Sequence, residues 1–150
     1  MKQQTERSPF TTASSLAAKD KAIVCSRLAL EKKAYDVRIL HIGMLSTIAE
    51  YFVICSGRSV RQVRAIAEHV QCTLKEHRQD LLGVEGGREG TWILLDYADV
   101  VVHVFYEATR EIFCLEKLWS DAPLLVDPER DAYEKIHAPG SEEEMEEWDD

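Results

Sequence analysis

The sequence predicts an α/β fold with α+β character, in which a mixed β-sheet of about five strands is flanked by helices. Apolar residues recur at helical spacing in three segments, and β-prone runs lie between those segments. A strand–helix–strand passage implies a parallel pair, whereas a short hairpin implies an antiparallel pair. The chain of 150 residues is long enough for one such domain and too short for two ordinary ones.

The N-terminal half of the predicted domain contains one helix and two strands. An apolar repeat from Leu16 to Leu30 predicts an amphipathic helix over about residues 15–33. A short strand with imperfect alternation follows at about 37–42. The continuous apolar run 51–55 is typical of a central strand that is buried on both faces.

The second helix has a clear sequence signal at its start. Ser59 can cap the helix, and Gln62 follows at the spacing of a capping box. The helix is expected to run to about Gln79, with one buried face formed by apolar residues three or four positions apart: Val60, Val63, Ala67, Val70 and Leu74.

The C-terminal half is predicted to contain three strands and a last helix. A strand at 81–85 leads into a glycine-rich loop, and strands at 92–95 and 100–106 form a hairpin around residues 96–99. Apolar residues at helical spacing then predict one continuous helix over about 107–118.

The net charge of −9 is concentrated at one end of the chain. Residues 120–150 hold twelve acidic and two basic residues, so residues 1–119 carry a net charge of +1. We therefore divide the chain into a flexible N-terminal extension (1–15), a folded domain (16–122) and an acidic tail (123–150) that is expected to be disordered. The acidic balance of the whole chain argues against a sequence-specific nucleic-acid binder.

Composition also predicts a cytoplasmic protein that does not enter the membrane. No apolar run approaches the length of about 20 residues that a membrane helix needs. The four cysteines are far apart, which favours reduced and mostly buried thiols over a disulfide framework. His69, Cys72 and His77 share a predicted helix, but the spacing does not bring four ligands together, so no metal or cofactor site is expected.

The turn between Ser56 and Ser59 is compatible with two roles. Backbone N–H groups at the start of the helix, with Arg58 and Arg61 beside them, could hold a phosphate group, as in a nucleotidyltransferase. Such an enzyme would also need paired carboxylates for magnesium, and only Asp96 and Asp99 are candidates. Helix capping by Ser59 accounts for the same residues without any catalysis.

Two tryptophans are candidates for surface recognition. Trp92 begins a strand beside the glycine-rich loop, and Trp119 follows the last predicted helix. Aromatic residues are enriched at binding hot spots, but a tryptophan can equally be part of the core. The sequence leaves this alternative open.

A series of short blocks resembles the ribosomal silencing factor family (RsfS, also called Iojap). The blocks appear in the family's order and together span about residues 16–122. They are Asp36-Val37-Arg38-Ile39-Leu40, Ala49 to Gly57, Ser59-Val60-Arg61-Gln62-Val63, Gly83-Val84-Glu85-Gly86, Trp92-Ile93-Leu94-Leu95-Asp96, Asp99 to Phe105, and Leu115-Glu116-Lys117-Leu118-Trp119.

The resemblance implies a translation factor that is not an enzyme and needs no cofactor. Members of this family bind ribosomal protein fourteen on the large subunit, block association with the small subunit and lower translation when nutrients are short. The implied fold is related to nucleotidyltransferases without their metal carboxylates. A homodimer, through a sheet edge or a helix face, is a further alternative, and so is a nucleotide-binding enzyme that uses the Ser56–Ser59 turn.

The resemblance also implies where the partner binds. Carried over by position, the contact elements are the sheet and the last helix, with the candidate residues Trp92, Leu94, Asp96, Asp99, His103, Phe105, Leu115 and Trp119. Ala98 stands in the hairpin turn where the family commonly has glycine, so this turn is expected either to avoid a positive φ or to be strained.

Overall fold

The computed structural model describes residues 16–127. Its elements are α1 (Ala18–Glu31), β1 (Tyr35–His41), β2 (Tyr51–Gly57), α2 (Val60–Glu76), β3 (Gly83–Glu85), β4 (Trp92–Asp96), β5 (Val100–Tyr106), α3 (Glu107–Phe113), α4 (Leu115–Leu118) and β6 (Leu124–Leu125), with a 3₁₀ turn at Ile42–Met44. The predicted N-terminal extension and most of the predicted acidic tail lie outside the described residues. Among residues 16–127, no helix combines the length and the apolarity needed to cross a bilayer.

The strands form one mixed sheet in the order β3-β4-β5-β2-β1-β6. Only β2 and β5 are parallel among the described pairs; β3–β4, β4–β5, β1–β2 and β1–β6 are antiparallel. Between β2 and β5 the chain passes through α2 and then through β3 and β4, so the helix supplies the crossover that a parallel pair requires. The prediction of a mixed sheet flanked by helices is confirmed.

The two faces of the sheet are covered differently. On one face, α1 and α2 pack against alternate residues of the strands, such as Val53, Val102 and Val104. On the opposite face, a smaller cluster contains Phe52 and Phe105. Among residues 16–127, the short helices α3 and α4 and the 3₁₀ turn at Ile42–Met44 lie near it. Since β2 lies centrally between these layers, all seven of its residues are buried, as its continuous apolar run predicts.

The start of α2 follows the sequence prediction. The hydroxyl of Ser59 accepts a hydrogen bond from the backbone N–H of Gln62 at 3.0 Å. The side chain of Gln62 accepts a hydrogen bond from the backbone N–H of Arg58 at 2.6 Å. Two N–H groups at the helix start are thereby satisfied by local side chains, which is why the sequence alone located this end.

The sixth strand lies beyond residue 122, where the sequence analysis placed the end of the domain. Leu124 and Leu125 pair with Leu40 and Ile39 of β1. The carboxylate of Asp127, itself buried, accepts two hydrogen bonds from Arg27 at 2.8 and 3.0 Å. A two-residue strand carries no periodicity, so only the open edge of β1 reveals it.

The last helix is not continuous. Cys114 has a left-handed φ of 46° and separates α3 from α4. The apolar spacing over 107–118 fits one helix, so the prediction of a single helix was wrong. The break turns α4 so that Leu115, and Trp119 at its C-terminal end, pack against the cluster around Phe52 and Phe105. Tertiary packing therefore outweighs the local helical pattern at this point.

Candidate partner-binding site

Half-buried apolar side chains lie on the less covered face of the sheet. Trp92 and Leu94 of β4, together with Leu115 of α4 and Trp119, pack against the buried cluster while part of each remains accessible. We call these four residues the aromatic face. Their arrangement follows from the alternation of β4, since Ile93 and Leu95 point to the core beneath α1 and α2.

Trp92 is held in place by its neighbours. Its ring centroid is 4.7 Å from that of Phe105 and 4.9 Å from that of Phe113, whose side chain is 55% exposed. The indole N–H donates a hydrogen bond to Nδ1 of His103 at 3.2 Å. An aromatic residue that is rigid and partly accessible can bind a partner without losing much conformational entropy.

His103 lies beneath this face. Burial lowers the pKa of its imidazole to about 4, so the ring is neutral at physiological pH. Because Nδ1 accepts from Trp92, the proton is assigned to Nε2, which has no hydrogen-bond partner among the described residues. His103 is 4% exposed and Phe105 is fully buried, so these two predicted site residues support the face rather than form its surface.

Trp119 belongs to the same surface. Its ring meets Phe52 edge-on, with 5.6 Å between the centroids and 81° between the planes. Ile112 of α3 and Leu118 of α4 are each 75% exposed. The aromatic face is therefore accompanied by exposed apolar side chains on the two short helices beside it, a combination that is typical of protein interaction sites.

Asp96 and Asp99 do not converge on a common point. A carboxylate oxygen of Asp96 accepts a hydrogen bond from the backbone N–H of Ala98 at 2.8 Å, which stabilises the hairpin turn. The carboxylate of Asp99 is paired with Lys21 of α1 at 3.0 Å. Asp96 therefore stabilises the turn, whereas Asp99 forms an ion pair. Of the predicted site residues, Asp99 alone contacts a helix on the opposite face.

The hairpin turn between β4 and β5 is strained at Ala98, the position where the family commonly has glycine. Ala98 has φ 75°, a conformation in which a Cβ atom is unfavourable. The turn is nevertheless closed by the bond from Ala98 to Asp96 and by a bond from the backbone N–H of Tyr97 to the carbonyl of Val100 at 2.9 Å.

Arg110 is a buried residue that was not among the predicted site residues. Its guanidinium donates hydrogen bonds to the backbone carbonyl of Asp36 at 2.6 Å and to the hydroxyl of Ser56 at 2.8 Å. It also binds the carboxylate of Glu116 in α4, with one hydrogen bond at 2.9 Å. Arg110 therefore connects β1 and β2 to both short helices. No spacing in the sequence marks a residue whose partners lie up to 74 positions away.

The other candidate sites are occupied by structural contacts. Ser59 caps α2, and the hydroxyl of Ser56 accepts a hydrogen bond from Arg110. The polar side chains at the junction between β2 and α2 therefore stabilise the fold. His69 contacts Glu31 at 2.7 Å. Within residues 16–127, no group of three His, Cys, Asp or Glu side chains is placed to hold a metal ion.

Of the cysteines, Cys25 and Cys55 are buried, whereas Cys72 and Cys114 are exposed, so the expectation of mostly buried thiols holds for two of the four.

Comparison with known proteins identifies the family of this chain. Residues 15–149 match the family model described as "Ribosomal silencing factor during starvation". The chain belongs to the RsfS family. It is 44% identical over 94 residues to the ribosomal silencing factor RsfS of Bacillus subtilis, and the match spans 63% of this chain and 80% of that protein.

More distant members of the RsfS family and solved structures are also similar. A protein of Chromobacterium violaceum of known crystal structure superposes with a TM-score of 0.68 and 34% identity, covering 69% of this chain and 87% of its own. The mouse protein named "Mitochondrial assembly of ribosomal large subunit protein 1" is 29% identical over 93 residues, 60% of this chain and 41% of its own length. Membership of the RsfS family supports a role in translation or ribosome assembly.

Proposed function

We propose that this protein binds the large ribosomal subunit through ribosomal protein fourteen, sterically blocks association with the small subunit and thereby represses translation in the cytoplasm. Family membership supports the ribosomal role. The observation that carries the choice of surface is the aromatic face, where Trp92 and Trp119 stay partly accessible on a sheet that helices cover only in part.

The chemistry of the aromatic face suits protein recognition rather than catalysis. Its accessible side chains are apolar, and the nearest buried imidazole is neutral and already bound to Trp92. A partner that covered this face would gain from burying the indole rings and the neighbouring Ile112 and Leu118. Asp96 lies farther along the same strand, where its carboxylate could meet a polar group at the rim.

Trp92→Ala tests the proposal. Removing a rigid aromatic anchor is expected to weaken binding to purified large subunits by about 30-fold, in line with the cost of hot-spot truncations. Co-sedimentation with large subunits measures binding, and the fraction of joined subunits in a sucrose gradient measures the steric effect. Wild-type protein that leaves subunit joining unchanged at saturation would contradict the proposed function.

Two control variants separate binding from stability. Trp92→Phe keeps an aromatic ring against Phe105 but loses the indole N–H that binds His103, so we expect an intermediate loss of affinity. Leu74→Ala opens a cavity beneath α2, on the helix-covered face, and should leave subunit binding intact while the protein is folded. Equal effects of Trp92→Ala and Leu74→Ala on binding would place Trp92 in the core instead.

A further inference from the structure

Basic side chains gather at one end of the domain, although the chain as a whole is acidic. They come from the end of α1, the start of α2 and the loop before β4. We call this group the basic edge; its members are Lys32, Lys33, Arg61, Arg64 and Arg88. Arg58 lies in the same segment, but its guanidinium stacks over the ring of Tyr35 and its terminal nitrogens are buried. Lys32, Arg61, Arg64 and Arg88 are exposed, and Lys33 is partly exposed.

A single buried side chain joins the two helices of the basic edge. The amide nitrogen of Gln62 donates hydrogen bonds to the backbone carbonyls of Lys32 and Lys33 at 3.1 and 3.0 Å. The amide oxygen of Gln62 accepts the bond from the backbone N–H of Arg58. The end of α1 and the start of α2 are therefore fixed beside each other, with the exposed side chains of Lys32 and Arg61 on these two segments.

The loop before β4 is attached to the same place. The guanidinium of Arg64 donates to the backbone carbonyl of Gly87 at 3.4 Å and to that of Arg88 at 2.5 Å. These bonds hold Arg88 beside the first turns of α2, where Arg61 lies three residues before Arg64. Three separate segments of the chain thus contribute to one positive surface.

Few carboxylates offset this charge. In the segments that form the basic edge, the acidic residues are Glu31 and Glu89, and Glu31 already contacts His69 at 2.7 Å. Glu68 lies one turn beyond Arg64 on α2. Cations outnumber acids here even with these three counted, whereas the described domain as a whole has slightly more acids than bases.

The basic edge adjoins the aromatic face at the same end of the sheet. Trp92, at the start of β4, pairs with Phe105, and Gly57, at the end of β2, pairs with Tyr106. Arg88 precedes Trp92 by only four residues. A partner surface that reaches the aromatic face at Trp92 would therefore continue onto the cations of the loop and of α2.

We propose that the basic edge binds the phosphate backbone of ribosomal RNA next to the protein surface that the aromatic face contacts. The proposal rests on the ribosomal role given above. Guanidinium groups bind phosphate oxygens in pairs of parallel hydrogen bonds, and such interactions read no sequence. Because the whole chain carries −9, bulk attraction to RNA is absent, and binding depends on this local arrangement.

Binding of the full chain to an RNA duplex tests the proposal directly. A fluorescent duplex of about 20 base pairs serves as the probe, and fluorescence anisotropy is followed from about 50 to 200 mM KCl. We expect the paired substitutions Arg61→Glu and Arg88→Glu to weaken binding by more than about tenfold. The slope of log affinity against log salt should become shallower by about 0.7 to 0.9 for each phosphate that the variant no longer neutralises.

A matched variant with the same change in net charge is available on the same helices. Lys19 and Lys75 are exposed and lie at the other ends of α1 and α2, about 20 Å along each helix from Lys32 and Arg61. Lys19→Glu with Lys75→Glu should therefore weaken duplex binding far less. If both pairs of substitutions weaken binding equally, only net charge matters and the proposal is wrong.

The remaining outcomes are also decisive. If the reversed pair fails to fold, Arg61→Gln with Arg88→Gln provides the same comparison with a smaller expected loss. Absence of duplex binding by the wild-type chain would overturn the proposal, and tighter binding to a decaglutamate peptide than to RNA would assign the basic edge to an acidic protein segment instead. Co-sedimentation with large subunits is measured separately. Absence of subunit binding would contradict the proposed function, whereas the duplex measurement decides whether the basic edge binds RNA.

Discussion

The two faces of the sheet use the same strands for different purposes. One face is closed by helices of 14 and 17 residues, and its core residues are almost completely buried. The other face meets helices of only 7 and 4 residues and keeps two tryptophans partly accessible. Alternation along β4 and β5 separates stability from recognition, because neighbouring residues point to opposite layers.

The largest expected effect tests the helix-covered face. Leu74→Ala removes a fully buried side chain of α2 and should lower the free energy of unfolding by about 3 kcal/mol, since the cavity is not refilled. Chemical denaturation measures this loss. Large-subunit binding at low temperature should be unchanged; a parallel loss of affinity would mean that the two faces are not independent.

The second prediction concerns the attachment of the short helices. Arg110→Met removes the guanidinium that links Asp36, Ser56 and Glu116, and we expect a loss of about 2 kcal/mol in stability because buried polar partners lose their bonds. Subunit binding, measured by co-sedimentation, should fall as well, since α4 carries Leu115 and leads directly into Trp119.

The Arg110 result is distinguished from general destabilisation by its control. Leu74→Ala is expected to be at least as unstable yet to bind normally. If Arg110→Met lowers stability and leaves affinity unchanged, the placement of α4 does not matter for binding.

The third prediction uses the buried imidazole beneath the aromatic face. The pKa of His103 is lowered from 6.5 to about 4 in the folded state, so protonation favours unfolding. The stability that depends on neutral His103 is fully present above about pH 6.5 and is lost as the pH falls towards 4. At pH 5 the free energy of unfolding should be lower by about 2 kcal/mol for this reason. Denaturation curves at pH 8 and pH 5 measure the difference.

Two variants isolate this effect from carboxylate titration. His103→Gln should reduce the difference between the two pH values, whereas His69→Gln, on the partly exposed helix surface, should leave it nearly as large. A pH dependence that is the same in wild type and in His103→Gln would show that this imidazole is not the group responsible.

The smallest expected effect lies in the turn that joins β4 and β5. Ala98→Gly relieves a left-handed conformation, and we expect a gain of about 0.5–1 kcal/mol in the free energy of unfolding after the greater flexibility of glycine in the unfolded chain is counted. Thermal unfolding measures it. Subunit binding should not change, because Asp96 and Asp99 keep their partners on the two sides of the sheet.

Local signals explain which parts could be predicted. Ser59 and Gln62 located the start of α2, and the apolar run of β2 indicated a strand buried on both faces; both predictions are confirmed. For the candidate site, the sequence and its family resemblance pointed to Trp92, Leu94, Leu115 and Trp119, which the structure brings together on one face. Their contact with the ribosome stays a prediction.

The sequence by itself determined the class of fold, the helix cap, the central strand and the family, because each depends on residues close together in the chain or on ordered blocks of them. Only the tertiary structure decided that β6 closes the edge of β1, that Cys114 breaks the last helix and that Arg110 holds the pieces together. These features depend on interactions between distant residues, and no local spacing encodes them. The same holds for the basic edge, whose cations are separated in the sequence and share a surface only after Gln62 and Arg64 have fixed the three segments.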